Sequence, residues 1–287
     1  MPGKSLYLCK SHESMVLALI YDFDGTLSPG NMQEYDFIPA IGKDNREFWD
    51  ACNRMALEND ADPILTYMNE MIRQAKANGV SLKRSAFAES GSKVQLFEGV
   101  ESWFGRINRY GNSRGVQIEH YINSSGLKEM IEGTSIARHF KKIFASTFLY
   151  SVDGVAEWPG VAVNYTNKTQ FIFKISKGID SVYDSKAVNR YIPEKQRAVP
   201  FTHMIYIGDG TTDIPCMRLV KEQHGHSIAV YNPSDQEVGQ SLRQLVEEHR
   251  VNFVAPADYC AGSRLEIIVR AIIDKVAADD RLVELEL

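Results

Sequence analysis

The sequence has 287 residues, 44 % hydrophobic and 24 % charged, with a formal net charge of −5 at pH 7. A chain of that size can bury one large core, or one core plus a smaller appended domain, and its composition is that of an ordinary soluble globular protein. The acidic balance offers no broad basic surface, which argues against nucleic acid or an anionic membrane as the main partner.

The four cysteines, Cys9, Cys52, Cys216 and Cys260, include no CxxC pair. So few in a chain this long make no disulfide framework, and a reducing compartment is expected. The apolar run from Met15 to Tyr21 is too short to span a bilayer and ends in aspartates, and no other apolar stretch is long enough. The expected location is cytoplasmic, with no membrane partner.

In chain order, Val16 to Tyr21 is a nearly continuous apolar run, the pattern of a strand buried on both faces. From about Pro29 to Lys93 no convincing strand occurs. One amphipathic helix is predicted from Asn45 to Glu58. A second has Asp62 as N-cap, Pro63 in its first position, and Ile64, Leu65, Met68, Met71, Ile72 and Ala75 on one face until Gly79. Such a helical insert reads as a small second domain whose two ends return to the same place. A further helix carries Val100, Trp103, Phe104, Ile107 and Tyr110, with Gly111 and Gly115 predicted to close it. Apolar runs recur at VQIEHYIN (116–123), HMIYIGD (203–209), HSIAVYN (226–232) and VNFVA (251–255). IFASTFLYS and VAEWPGVAVNY flank Val152-Asp153-Gly154 as a hairpin would. Strand and helix in alternation predict a doubly wound α/β sheet.

Two of these strands end in carboxylates. Asp22 and Asp24 in DFDGT (22–26) point the same way, with Phe23 opposite. They stand at the carboxyl end of a strand, where open α/β sheets bind ligands. YIGDGTTDIP (206–215) ends the second strand in Asp209 and adds Asp213. Each has a plainer reading: aspartates before glycine form turns, and Asp213 stands where it could cap the helix that begins around Pro215. Together, however, they would put up to four negative charges in one cleft, an arrangement that raises a pKa strongly or requires a cation. Hard oxygen ligands with room for water suit Mg²⁺, and Asp22 and Asp209 are the leading ligands. DFDGTLSPGNMQ lacks the spaced acids and terminal Glu of a Ca²⁺-binding loop, and no Walker-type or dinucleotide fingerprint occurs.

DFDGT with GDGTTD (208–213) resembles the first and fourth signature motifs of the haloacid dehalogenase superfamily. Asp24, two residues after Asp22, is similar to the phosphatase and phosphomutase branches rather than the dehalogenases. NSSGLKEMIEG (123–133) resembles the Ser-Gly-Gly segment of the phosphoserine phosphatase-like members, which makes Ser124 the second motif, with Ser125 as alternative. NKTQFIFKISKG (167–178) offers Lys168 as the third, with Lys177 as alternative.

The resemblance implies a Rossmann-like core over 1–29 and 94–287 and a helical cap of the family's first type over 30–93. Ser28, Pro29 and Gly30 would form one hinge and residues 91–99 the other. It further implies an Mg²⁺-dependent phosphomonoester hydrolase acting on a small phosphorylated metabolite. Asp22 would be the nucleophile, forming an aspartyl-phosphate, and Asp24 the general acid–base. Mg²⁺ would be held by Asp22, the Asp24 carbonyl and Asp209, with Asp213 ligating it or orienting a bound water. Ser124 and Lys168 would bind the phosphate, and Lys128, one turn beyond Ser124, would face the substrate. A phosphotransferase or mutase would use the same residues with an acceptor other than water. A non-catalytic binding protein is the third reading, against which both Asp22 and Asp24 are retained.

Overall fold

Strand β1 (Met15–Tyr21) is apolar along its whole length, and Leu17 to Tyr21 are fully buried. The computed structural model describes residues 15–210 and 212–285, the side chains at 185, 195, 236, 239–241 and 284 excepted. Cys9 with its N-terminal segment, and Thr211 of GDGTTD, lie outside the described residues.

After β1 the chain is helical: a 3₁₀ turn (Met32–Glu34), α1 (Phe37–Ala40), α2 (Asn45–Asn59), α3 (Pro63–Asn78) and α4 (Arg84–Gly91). Asp62 caps α3 by accepting from the amides of Ile64 and Leu65, and Gly79 ends it with a left-handed φ of 68°. Helix α5 (Val100–Ser113) leads to β2 (Val116–Leu127), α6 (Lys128–Gly133), β3 (Phe140–Tyr150) and β4 (Ala156–Val161). Then come α7 (Lys168–Lys177), α8 (Ser185–Asn189), β5 (Met204–Gly208), α9 (Ile214–Glu222) and β6 (His226–Tyr231). The chain closes with α10 (Gln236–Glu247), β7 (Phe253–Pro256) and α11 (Arg264–Leu285).

The seven strands form one sheet in the order β4-β3-β2-β1-β5-β6-β7, parallel except for the antiparallel edge pair β3–β4. Alternate residues of β1 serve opposite faces. Leu17, Leu19 and Tyr21 pack with α5 and α11, whereas Ala18 and Ile20 pack with α7 and α9. That two-sided burial is the doubly wound architecture, and the β1/β5 boundary is its switch point.

Gly111 does not close α5 as expected but lies inside it. A Cβ there would meet Ile118 Cγ1 at 2.5 Å and the Val116 carbonyl at 2.8 Å, so the glycine lets the helix lie on β2. Among the described residues, no helix is long and apolar enough to cross a membrane.

Candidate active site

The carboxyl ends of β1 and β5 lie side by side, joined by the Asp22 amide donating to the Ile207 carbonyl at 2.9 Å. Parallel pairing therefore brings both aspartate-bearing turns to the same edge of the sheet. One carboxylate oxygen from each of Asp22, Asp209 and Asp213 lies within 4.8 Å of the others. Gly25, with φ +71°, permits this convergence, since a Cβ at that position would overlap the Asp209 carboxylate.

One ammonium bridges two of these acids. Lys168 opens α7, is wholly buried, and reaches Asp22 Oδ2 at 3.1 Å and Asp213 Oδ1 at 2.8 Å. Lys177 is elsewhere, donating to the carbonyls of Val188 and Arg190. Asp213 occupies the N-cap position of α9 without capping it. Its Oδ1 accepts instead from Lys168 and, at 2.6 Å, from the Tyr206 hydroxyl, and its Oδ2 is buried without a partner among the described residues.

Asp24 accepts from the Met32 amide at 2.8 Å. A Cβ at Gly126 would lie 2.9 Å from its Oδ2, so the end of β2 closes against this carboxylate. Ser124 is buried at the irregular end of β2, where its Oγ accepts from the Gly126 amide at 3.0 Å, and among the described residues it bonds to none of the aspartates. Ser125 gives its carbonyl to the Tyr67 hydroxyl of α3 at 2.7 Å. Lys128 is ion-paired with Glu132 at 3.4 Å and makes no ion pair with the strand-end aspartates.

The electrostatics follow from burial and crowding. Burial, then the Asp213 charge, pushes Asp22 well above the usual carboxylate range against the opposing pull of Lys168. Burial also pushes Asp24 up to about 7; the Met32 hydrogen bond opposes this, and the charges of Asp209 and Glu34 add to it. Asp209 is likewise pushed up to about 7, by burial and then by Asp213. Burial alone would lower Lys168, but Asp213 and Asp22 more than offset it and its pKa is raised.

Sequence reasoning missed two aromatic hydroxyls beside these groups. Tyr206 was legible as a strand residue just ahead of Asp209, but nothing in its spacing marks a bond to Asp213. Tyr67 shows only as part of a helix face.

The family profile of the haloacid dehalogenase-like hydrolases matches residues 19–218. An uncharacterised protein of Borreliella burgdorferi is 30 % identical over 280 residues, covering 87 % of this chain and 94 % of that one. Among solved structures, a probable phosphoserine phosphatase from Vibrio cholerae is similar at a TM-score of 0.54 and 11 % identity, over 93 % of this chain and 67 % of that one. A hydrolase of the same family from Salmonella enterica serovar Typhi is similar at a TM-score of 0.52 and 17 % identity, over 83 % of this chain and 66 % of that one. At these identities the likeness to the solved structures is one of fold, and this chain spans about two thirds of the length of both.

Proposed function

The chain belongs to the haloacid dehalogenase-like hydrolases, and on that premise we propose that it is an Mg²⁺-dependent phosphomonoester hydrolase of a small phosphorylated molecule. The observation that carries this reading is the convergence of Asp22, Asp209 and Asp213 at a sheet switch point, with the Lys168 ammonium bridging Asp22 and Asp213. Three clustered carboxylates, those of Asp22 and Asp213 buried, against the Lys168 ammonium leave negative charge that a hard divalent cation would balance. The donor set fits such an ion: every ligand atom is oxygen, and Asp213 Oδ2 is buried with no partner among the described residues. Asp22, Asp209 and Asp213, with the Asp24 carbonyl, would hold it. When bound, Mg²⁺ supplies positive charge that offsets repulsion between the attacking carboxylate and the phosphoryl oxygens.

The chain's own residues do the rest. Asp22 is oriented by the Phe23 amide on Oδ1, at 2.8 Å, and by Lys168 on Oδ2. Its carboxylate attacks phosphorus and forms an aspartyl-phosphate as the ester P–O bond breaks. Asp24, with a pKa near 7, gives its proton to the departing oxygen. Water then attacks the phosphorus, Asp24 takes its proton, and the bond from phosphorus to the Asp22 oxygen breaks to release phosphate. Lys168 and Ser124 would bind phosphoryl oxygens, and the helical segment 30–93 would act as the cap that excludes bulk water. Lys128, held by Glu132, is given no part.

The test is phosphate release from p-nitrophenyl phosphate and from a panel of phosphorylated metabolites, with Mg²⁺, with EDTA, and in Asp22→Asn. Free phosphate should match substrate lost and should vanish in both EDTA and the variant. Turnover that survives in Asp22→Asn would refute the covalent route, and phosphate appearing on an acceptor other than water would indicate a transferase.

A further inference from the structure

Tyr259 lies between β7 and α11, beyond the stretch matched by the family profile, which ends at residue 218. It is wholly buried, and its hydroxyl donates to the Thr26 carbonyl at 2.8 Å. Its ring stands edge-on to Trp103 of α5, centroids 5.2 Å apart and planes at 89°.

The backbone of Tyr259 is fixed on both sides. Its amide donates to the Glu98 carbonyl at 3.1 Å. Its carbonyl accepts from the Arg106 guanidinium, which is itself paired with the buried Glu266 at 3.4 Å. Gly99, at φ +84°, lies so close that a Cβ there would overlap the Tyr259 backbone. The residue is thus a rigid post reaching up from the C-terminal part of the chain.

It reaches the turn that carries the proposed acid. The amides of Thr26, Leu27 and Ser28 all donate to one carbonyl, that of Phe23, at 3.2, 2.8 and 3.1 Å. This winds the turn tightly but leaves its outward carbonyls to be held by something else. Phe97 takes that of Leu27, at 2.9 Å, and Tyr259 takes that of Thr26. The Thr26 carbonyl follows Gly25, on which Asp209 closes, and Asp24 precedes it. The turn that this hydrogen bond holds thus also carries the Asp24 carbonyl and the seat of Asp209.

We propose that Tyr259 is a positioning residue of the active site, its hydroxyl locking the 24–26 turn so that Asp24 and Asp209 keep their places. The inference rests on the phosphohydrolase reading for its kinetic consequences and on the Mg²⁺ site of that reading for its affinity readout, whereas the exchange readout depends on neither. Groups one step removed from a metal or reacting group commonly change affinity or turnover by ~10-fold or more when lost.

The test compares wild type, Tyr259→Phe and, as a control, Tyr110→Phe, which loses a hydroxyl bonded to Asp274 at 2.7 Å on the outside of α5. Tyr259→Phe keeps the ring and its packing. Calorimetric titration with Mg²⁺ should show affinity weakened about tenfold in Tyr259→Phe and unchanged in Tyr110→Phe. Turnover of p-nitrophenyl phosphate should fall by a similar factor at an unchanged KM. Amide hydrogen exchange at residues 25–28, which needs neither metal nor turnover, should quicken on the order of tenfold.

A lower Tm with Mg²⁺ affinity and exchange at 25–28 both unchanged would overturn the proposal and leave Tyr259 as packing. If wild type releases no phosphate from any substrate, the hydrolase reading fails by itself, and calorimetry and exchange still decide the role of Tyr259.

Discussion

Lys168 is the residue on which the charge balance of the site turns, since it faces two buried carboxylates with a third close by. The consequence for stability has a definite sign. Asp24 and Asp209 are pushed from an ordinary value of 3.8 up to about 7, so between those limits the folded metal-free protein holds protons that the unfolded chain has released. Their contribution is present below pH 4 and is lost as pH rises through 7, at up to about 1.4 kcal/mol per pH unit for each group. In EDTA, Tm should therefore fall between pH 5.5 and pH 8, and saturating Mg²⁺ should raise it more at pH 8 than at pH 5.5. Equal Mg²⁺ shifts at the two pH values in a thermal melt would refute this account. Asp22, Asp24 and Asp209 were legible in the sequence because they follow directly on apolar strands, and Asp213 because it stands four residues after Asp209 in GDGTTD. The choice between Lys168 and Lys177 was not, because both follow an apolar run and only the path of α7 shows which ammonium enters the cleft.

At the level of elements, the junction of α4 and α6 sets what can move. A Cβ on Gly91 would overlap the Met130 carbonyl, and one on Gly133 would overlap that of Ala88, so the two helices meet backbone to backbone. Arg84 adds to the junction, reaching the buried Glu129 at 3.5 Å while lying over the Tyr150 ring. Gly133→Ala should destabilise the protein by about 1–3 kcal/mol, because a backbone neighbour cannot swing aside as a side chain can. Urea unfolding measures it, and a change below about 0.5 kcal/mol would show that the helices separate easily. The amphipathic period made α2 and α3 legible, and Asp62, Pro63 and Gly79 marked the ends of α3. Helix α4 escaped notice because it is short and, apart from Phe87, buries only the small residues Ser90 and Gly91, which leave little hydrophobic signal. The role of β3 was half legible: its turn with β4 shows in the sequence, whereas its parallel pairing with β2 is a contact across many residues.

For the whole molecule, the helices after β1 divide by how they are held. Helix α4 is bound to α6 through backbone contact, whereas α3 is tied to the sheet side by hydrogen bonds from Tyr67 to Ser125, at 2.7 Å, and from Asn164 to Asp62, at 2.6 Å. If segment 30–93 works as a cap, the moving part is expected to be α2 and α3, with α4 staying on the core. Amide exchange should slow in α2 and α3 when Mg²⁺ and a phosphate analogue are added, and stay constant in α4; a uniform response across all three would exclude a divided cap. The sequence by itself determined the doubly wound class, the helical insert, the pair of strand-end acidic turns and the family. Those properties follow from local periodicity and from residue types at fixed spacing, which the chain carries wherever it folds. Only the tertiary structure decided that one lysine bridges Asp22 and Asp213 with Asp209 beside them, that glycines bring α4 onto α6, and that Tyr259 reaches the Thr26 carbonyl. These are contacts between residues far apart in the chain, and their geometry is set by the register of the parallel strands and the packing of helices on both faces of the sheet.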